Sequence, residues 1–398
     1  MSPRLPRRQV ERRGLRLWPV GTVLILAFTT AALAAAAVFY AGWSLLDAHG
    51  LKSEPRIDSK TLFDLVKLAF GVVAGAGALV ALVVAYRRQR VDEDGALRDA
   101  TRLHTERFTT AVSQLGDESA AVRLGGVHAL AGLADDAPTL ALRQTCIDVL
   151  CAYLRLPYTA EADLPASDAE ARHTYLALRE VRHTVIRLIR DHLRLPHQHH
   201  HSWQDHDFDF TNVTFDGGDF TLATFSRSVV DFSGATFSGN VVDFSGATFS
   251  GNVVDFSGAT FSGGTVNFLA ATVCGGTVDF SGATFSGGTV NFYRTTVSAG
   301  AVRFSGATVS GGTVKFSEAR FSDGTVDFSG ATFSDGTVDF RMARFSDGTV
   351  RFSEVTFSGA TVDFSMASGA VPLGLVPVAG APLPTGLILT MAWQMTGS

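Results

Sequence analysis

Phenylalanine recurs at a fixed period through the second half of this 398-residue chain. Of its 30 phenylalanines, 25 lie between Phe208 and Phe364. One series begins at Phe232 and returns every 12 residues, and a second begins at Phe237 with the same period and valine at a few positions. A fixed period over such a length is typical of repeat proteins, in which each unit packs against its neighbours. We therefore expect a repeat architecture over this part of the chain.

The residues around each phenylalanine predict short strands. Valine stands two positions before each member of the first series from Phe232 on, and alanine nearly always stands two before the second. Residues two apart in an extended chain share a face, so these pairs point inward while Asp231 and Thr236 point outward. Pairs such as Gly239-Asn240 supply the tight turns. The pattern predicts a solenoid whose core contains Phe232, Phe237, Phe244, Phe249, Phe256, Phe261, Phe280, Phe285, Phe328 and Phe333.

The consecutive units 230–234 (VDFSG) and 235–239 (ATFSG) resemble the pentapeptide repeat family, whose unit has a central Leu or Phe. The resemblance covers residues 207–365 and implies a right-handed, four-sided β-helix with four units per turn. Because an extra dipeptide follows each pair of units, one turn is expected to take about 24 residues. A coil of about 12 residues per turn is the alternative, and it would give the phenylalanines a very narrow core.

Two uncharged stretches precede the repeats, at residues 17–46 and 68–86. Because a membrane-spanning helix needs about 20 apolar residues, we expect two transmembrane helices joined by a short external loop, 47–67. The alternative for the first stretch is a cleaved signal peptide, but the apolar run is longer than such peptides need. Gly71 and Gly75 form a small-xxx-small pair, which serves either packing within the hairpin or a homo-oligomer interface.

The distribution of arginine predicts how the chain lies in the membrane. Residues 1–16 form a basic leader with six arginines, and Arg87, Arg88 and Arg90 follow the second stretch. Positively charged flanks remain on the cytoplasmic side, so both termini are expected there, in a multi-pass protein of the cell inner membrane. Such an arrangement is loosely similar to that of membrane-anchored bacterial pentapeptide repeat proteins.

Residues 87–195 change to an Ala-, Leu- and Arg-rich composition and are expected to form a small helical domain. The stretch 121–133 resembles a HEAT-like helical hairpin, and a third helix is expected from Asp168 to Leu193. The overall class is therefore an α + β solenoid. The apolar stripes comprise Val122, Val127, Leu130 and Leu133, then Ile147, Leu150, Cys151 and Leu154, then Leu178, Val181, Val185, Leu188 and Ile189. Cys146 and Cys151 are expected to pack in this core.

Two segments flank the repeats. Residues 196–206 are a His-rich junction whose imidazoles are of the type that binds transition metals: His197, His199, His200, His201 and His206. The tract lacks a closed ligand set at fixed spacing, so we expect a polar junction and assign no metal. Residues 366–398 form a tail whose Leu387, Ile388, Leu389 and Trp393 are expected to cover the open end of the coil.

Charge and motifs favour a binding function over catalysis. Between Phe208 and Phe364 there are 15 acidic and 8 basic residues, so a protein partner with a basic surface is easier to accommodate than nucleic acid. No catalytic motif stands out, and no cofactor or enzyme activity is expected. We expect a cytoplasmic, membrane-anchored scaffold. The alternatives are mimicry of DNA towards a DNA-handling enzyme, or, if the repeats lie outside the cell, an ice- or carbohydrate-binding ladder of Thr248, Thr260, Thr272, Thr284 and Thr296.

Overall fold

The computed structural model describes residues 20–45, 58–161, 164–165, 168–226, 229–251, 253–376 and 382–394. The chain forms two compact units, Met1–Ala100 and Thr101–Ser398. The basic leader 1–16 and residues 47–57 of the predicted loop lie outside the described residues.

Two helices account for the described part of the first unit, and the second of them continues beyond it. Helix α1 is Val20–Leu45 and α2 is Ser59–Leu115. The expectation that 47–67 is a loop is therefore wrong for residues 59–67, where the Asp58 carbonyl accepts the first helical hydrogen bond, from Leu62 N–H. The helix also continues past residue 86, because the polar segment that follows contains helix-stabilising pairs four residues apart, such as Arg102 with Glu106 at 3.0 Å.

Among the described helices, α2 alone is long and apolar enough to cross a membrane by its length and composition. It contains the predicted span 68–86. Helix α1 contains a shorter apolar stretch, Phe28–Ala41, so a second span at 17–46 stays a prediction. A Cβ atom built on Gly71 or Gly75 would meet no atom of the described residues within 4 Å, apart from the backbone of its own helix.

The second unit begins with a small helical domain. Its helices are the end of α2, then α3 Ala120–Asp135, α4 Leu140–Leu154 and α5 Ala169–Arg194. Asp168, the predicted start of the third helix, is the N-cap of α5 and accepts hydrogen bonds from two backbone N–H groups. Nearly all of the predicted stripe residues are buried or half-buried. Val122 is the exception at 39% exposed, because it lies in the first turn of α3 and faces solvent.

The rest of the second unit is a β-solenoid of very short strands, followed by one short helix, α6 Met391–Gln394. The strands are β1 Phe208–Asp209, β2 Thr214–Phe215, β3 Gly218–Asp219, β4 Thr224–Ser226, β5 Val230–Asp231, β6 Thr236–Phe237, β7 Val241–Asp243, β8 Thr248–Ser250, β9 Val253–Asp255, β10 Thr260–Phe261, β11 Thr265–Asn267, β12 Thr272–Cys274, β13 Thr277–Asp279, β14 Thr284–Phe285, β15 Thr289–Asn291, β16 Thr296–Ser298, β17 Ala301–Arg303, β18 Thr308–Lys315, β19 Arg320–Ser322, β20 Thr325–Asp327, β21 Thr332–Asp339, β22 Arg344–Phe345, β23 Thr349–Arg351, β24 Thr356–Phe357, β25 Thr361–Asp363, β26 Ser368–Gly369 and β27 Leu387–Ile388.

Parallel pairing between turns sets the period of the coil. Val230 pairs with Val254, and Phe237 pairs with Phe261, so each strand meets the equivalent strand about 24 residues further along. The alternative of about 12 residues per turn is therefore wrong. One turn contains four short strands, as β5 to β8 do, and the solenoid has seven strands in its first sheet, which corresponds to about seven turns.

The strands form three parallel sheets. The first sheet is β1, β5, β9, β13, β17, β20 and β23, and the third is β4, β8, β12, β16, β19, β22 and β26. The second sheet joins two columns of strands. One column starts with β2, β6, β10 and β14, the other with β3, β7, β11 and β15, and the two merge in the eight-residue strands β18 and β21.

Phenylalanine rings fill the coil. All ten predicted core phenylalanines are at most 2% exposed. Phe232 and Phe256, one turn apart, stack with ring centroids 4.6 Å apart and 2° between their planes. Phe244 meets Phe256 edge-on, at 6.0 Å and 87°. Stacks along the axis and edge-on contacts across it are both favourable aromatic arrangements, so the core is continuous from turn to turn.

Both ends of the coil are covered. Helices α4 and α5 pack on the first turn. At the other end β27 pairs with β25, and the Trp393 ring lies 5.6 Å from Phe345 and 5.7 Å from Phe364. Leu387, Leu389 and Trp393 of the tail are buried at this end, whereas Ile388 is 44% exposed because alternate residues of a strand face opposite sides. The coil also continues past the predicted boundary at residue 365, since β26 pairs with β22.

Candidate functional site

The acidic residues of the repeats form the corners of the coil. In each Asp-Phe-Ser unit the aspartate carboxylate accepts a hydrogen bond from the backbone N–H two residues later, as Asp255 does from Ser257 at 2.7 Å. The same bond occurs at Asp209, Asp219, Asp231, Asp243, Asp279, Asp327, Asp339 and Asp363. Such a bond is an Asx turn, which bends the chain locally. The aspartates are therefore structural as well as charged.

The four columns of strands differ in surface chemistry. Outward positions of the first sheet are charged through most of the coil, and in order they are Asp209, Asp231, Asp255, Asp279, Arg303, Asp327 and Arg351. The β3 column of the second sheet is also polar or charged, with Asp219, Asp243, Asn267, Asn291, Lys315, Asp339 and Asp363. These two columns hold 12 of the 23 charged residues between Phe208 and Phe364, and one of the 12, Asp339, is buried.

In the column of the second sheet that starts with β2, each strand has an outward threonine, which carries no charge. Seven threonines pair in register along it, and we call them the threonine column: Thr214, Thr236, Thr260, Thr284, Thr308, Thr332 and Thr356. The predicted single ladder with a 12-residue period is wrong. Its members divide between two sheets, because Thr260 and Thr284 lie in the threonine column while Thr248, Thr272 and Thr296 lie in the third sheet.

Charge is also uneven along the axis. Residues 229–293, which we call the acidic turns, contain four aspartates and no lysine or arginine. From Arg294 onward eight acids and seven bases are mixed, and some of them pair, as Arg294 does with Glu318 at 2.8 Å. Arg303 pairs with Asp279 of the acidic turns at 3.6 Å. The predicted acidic surface is therefore confined to the early turns, and the later turns present a surface of mixed charge.

A buried carboxylate joins the helical domain to the first turn. Asp216 is 3% exposed and accepts hydrogen bonds from the hydroxyls of Tyr158 at 2.7 Å and Tyr175 at 2.6 Å. His183 Nε2 lies 3.7 Å from its other oxygen. Burial raises the pKa of Asp216, but the His183 ring and the two hydroxyls together outweigh burial and lower the pKa to about 2. Asp216 is therefore an ionised hub between the two parts.

Arginines of the helices complete this contact. Arg182 is buried, lies 4.1 Å from the centre of the Tyr158 ring, and donates to the carbonyls of Leu154 and Thr214, both at 2.7 Å. Further ion pairs join Arg155 to Asp209 and Arg190 to Asp219. Together with Asp216, these contacts cover the backbone edge that the first turn would otherwise expose.

Sequence reasoning did not identify Asp216, although a signal was present. Thr214 pairs with Thr236, so Asp216 occupies the position of Ser238 in the next turn. Equivalent later turns have serine at this position, as at Ser262 and Ser286. Only the first repeat has a carboxylate where these later repeats have serine. Such a break in the repeat indicates the place where the solenoid contacts another part of the protein.

A comparison with known families agrees with this geometry. The family profile described as "Pentapeptide repeats (9 copies)" matches residues 210–254, 244–296, 299–337 and 323–367. Residues 210–367 belong to the pentapeptide repeats. No curated protein and no solved structure matches the chain. The pentapeptide-repeat solenoid is thus the part of the chain whose family is established.

The His-rich junction leads into the pentapeptide-repeat solenoid through turns. His197 Nε2 lies 2.9 Å from an Asp205 oxygen, and the rings of His199 and His200 stack with centroids 4.7 Å apart. His201 Nδ1 is 3.8 Å from an Asp135 oxygen, and burial lowers the pKa of His206. In the described ranges no group of three or more His, Cys, Asp or Glu side chains is arranged to hold a metal ion.

The helical domain explains why part of this tract is ordered. Asp135, at the end of α3, receives Trp203 Nε1–H at 3.2 Å and lies 3.0 Å from His192 Nε2. The His192 ring stacks on Trp203 with centroids 4.0 Å apart. The sequence pattern did not point to this cluster, because Asp135 lies 57 residues from His192 and 68 from Trp203 in the chain.

The two cysteines of the helical domain are core residues. Cys146 and Cys151 are 0% and 1% exposed, as predicted. Burial raises the pKa of Cys146 to about 11 and also raises the pKa of Cys151. Both are therefore thiols at neutral pH, which are poor nucleophiles and poor metal ligands.

Proposed function

We propose that this chain is a membrane-anchored, non-catalytic interaction module that presents its pentapeptide-repeat solenoid to a protein partner on the cytoplasmic side. The apolar segment of α2 supports attachment to a membrane. The arginine-rich flanks at residues 1–16 and 87–90 support a two-span anchor with both termini in the cytoplasm. Four short strands per turn support a four-sided cross-section, and the family resemblance supports a right-handed coil.

The observation that carries the proposal is the fixed spacing of charge in the acidic turns. Asp231, Asp255 and Asp279 are in register on the first sheet, so their carboxylates repeat at the inter-strand distance of about 4.8 Å. Their corner hydrogen bonds hold them in place before any partner binds. A preorganised row of like charge favours a partner with a basic surface and disfavours nucleic acid, whose phosphates it repels.

Asparagine substitution tests this proposal without disturbing the corners. We would purify full-length chain from detergent-solubilised membranes and compare co-purified proteins between the parent and the triple variant D231N/D243N/D255N. The matched control is D323N/D335N/D347N, which removes the same charge from exposed corners of the later turns. We expect the partner to be lost from the first variant and kept by the control, and raised salt to weaken its binding. Equal recovery from both variants would contradict an acidic docking face.

Protease protection tests the orientation. With intact cells and external protease, we expect the solenoid to be protected, and with inverted membrane vesicles we expect it to become accessible. Digestion of the repeats in intact cells would show that they lie outside, and would contradict the cytoplasmic assignment.

The threonine column supports a second candidate if the repeats lie outside. Its seven in-register threonines form a regular array of hydroxyl and methyl groups, suited to an ice or carbohydrate surface. Inhibition of ice recrystallisation by the full chain, lost in T260K/T284K and kept in the third-sheet control T248K/T272K, is the expected result for that function. No inhibition by the parent, together with no retention on insoluble polysaccharide, would exclude it.

A further inference from the structure

Helix α5 directs a row of basic side chains at the first turns of the solenoid. Arg179, His183, Arg187 and Arg190 are spaced by three or four residues and therefore share one face of the helix. They line a groove of about 540 Å³, whose opposite wall includes Gly217, Gly218 and Asn240. That volume is within the range of small-molecule sites, about 300–1,000 Å³.

Two glycines allow the helix to lie this close. Gly218 pairs with Val242, so it occupies a position at which later turns have an inward valine. A Cβ atom at Gly218 would lie 3.1 Å from Ile186 Cδ1, and one at Gly217 would lie 3.1 Å from His183 Cε1. Gly217 also has φ +145°, which other residues rarely adopt. The first turn is thus shaped to accept α5, and the groove is formed by this contact.

Arg190 is paired with carboxylates of the described residues, whereas Arg179 and Arg187 are not. Arg190 pairs with Asp191 at 2.8 Å and with Asp219, and His183 faces Asp216. Among the described residues no carboxylate forms an ion pair with Arg179 or Arg187. The hydrogen bond of the Arg187 guanidinium goes to the Thr184 hydroxyl at 3.2 Å. The buried Nε of Arg179 has no hydrogen-bond partner there.

The acids that line the groove have other partners. Asp219 accepts hydrogen bonds from the Thr221 hydroxyl and N–H in addition to its ion pair with Arg190. Asp243 accepts from Ser245 N–H at 2.8 Å to form its corner. Asp219 is therefore engaged through both of its oxygens and Asp243 through one. Arg187 is exposed and Arg179 is half-buried, and both line the groove with donors that no described carboxylate pairs with. An anionic ligand supplies the acceptors that these donors need.

We propose that this groove binds a ligand with two phosphoryl groups, one held by Arg179 and the other by Arg187. The two arginines are eight residues apart, which places their Cα atoms about 12 Å apart along the helix. Guanidinium groups bind phosphate through paired hydrogen bonds, and their long side chains converge readily on one diphosphate. The same chemistry is available from a soluble diphosphate or from a lipid headgroup with two phosphates, and the test distinguishes these sources.

The probes are inorganic pyrophosphate in solution and cardiolipin in detergent micelles, with phosphatidylcholine micelles as the neutral reference. Binding to the full-length chain is measured by isothermal titration calorimetry. The test variant is R179Q/R187Q, and the matched control is R320Q/R344Q, which removes two in-register arginines from the third sheet. Circular dichroism of each variant checks that the chain remains folded.

We expect the parent to bind at least one of the two probes, with a Kd that rises about tenfold or more in R179Q/R187Q and changes little in R320Q/R344Q. Pyrophosphate binding identifies a soluble ligand, and binding of cardiolipin alone identifies a lipid. The proposal is overturned if the parent binds neither probe, or if the folded R179Q/R187Q variant binds as well as the parent. It is also overturned if R320Q/R344Q, and not R179Q/R187Q, loses binding of the probe.

Discussion

The side-chain oxygen of Asn291 accepts a hydrogen bond from the backbone N–H of Tyr293 at 3.1 Å. Aspartate makes the same bond in other turns, at 2.7 Å from Ser257 to Asp255 for example. Asparagine and aspartate are therefore equivalent at the corner as hydrogen-bond acceptors, although they differ in charge. This equivalence separates what a carboxylate does for the fold from what it does for a partner.

Substitution of Asp255 tests the structural part of that statement. We expect D255N to leave the free energy of unfolding within about 0.5 kcal/mol of the parent, because the amide oxygen keeps the corner bond. D255A loses that bond and should cost about 1 kcal/mol. Urea unfolding followed by circular dichroism measures both. Equal destabilisation by the two variants would mean that the charge, and not the acceptor, stabilises the corner.

Removal of one ring from the stack should be much more damaging. Phe304 stacks on Phe280 at 4.9 Å and on Phe328 at 4.8 Å, and is 2% exposed. We expect F304A to lower the free energy of unfolding by about 3–5 kcal/mol, through lost burial and the cavity left behind. The control L222A changes a side chain that is 63% exposed and should have little effect. A cost below about 1 kcal/mol for F304A would show that the coil closes around the gap.

The structure also predicts a stabilising substitution. Val309 stands between Phe285 and Phe333 in its column, beside a cavity of about 10 Å³. We expect V309F to raise the free energy of unfolding by about 1 kcal/mol, because the ring continues the stack and fills the gap. In contrast, V314F introduces a ring in a column where adjacent turns also have valine, and should cost about 1–3 kcal/mol by overpacking. Thermal unfolding of both variants measures the two effects, and we expect a higher melting temperature for V309F and a lower one for V314F. Destabilisation by V309F would contradict the prediction.

The repeat was predictable from sequence because its period is local and redundant. Each phenylalanine of the series that begins at Phe232 lies two residues after an inward valine. The alternation alone therefore predicts the strands, the face that points inward and the residues of the core. The pairing of Phe237 with Phe261 rather than with Phe249 also follows from the room that rings need. Periodicity alone did not separate Thr248 from Thr260, because assigning them to different sheets requires knowing how many strands make a turn.

The contact between helices and solenoid was not predictable in the same way. Tyr158 and Asp216 are 58 residues apart, and no period relates them. The start of α2 at Ser59 is hidden for another reason, because charged residues such as Lys60 and Asp64 end the apolar stretch that predicts a membrane span. Aperiodic, long-range polar contacts are the part of this structure that sequence pattern does not encode.

Thiol reactivity should follow burial. Cys146 and Cys151 lie in the helical core with raised pKa values, whereas Cys274 lies partly exposed on β12 of the third sheet. We expect iodoacetamide at pH 8 to label Cys274 in the folded chain, and the other two only in denaturant. Mass spectrometry of peptides from native and denatured samples measures this. Rapid native labelling of Cys151 would show that α4 opens readily, and C274S serves as the control for background labelling.

Acid should loosen the contact at Asp216. Its folded pKa of about 2 lies below the ordinary value of 3.8, so the ionised form stabilises the fold fully above about pH 4 and this contribution is lost as the pH falls towards 2. The size of that contribution is about 2 kcal/mol. We expect the parent to lose more stability than D216N between pH 5 and pH 2, because the variant has no carboxylate to protonate at this position. Urea midpoints at both pH values provide the comparison, with D255N as the control for one Asp-to-Asn change elsewhere. If the parent and D216N lose stability equally over this range, the ionised hub does not stabilise the junction.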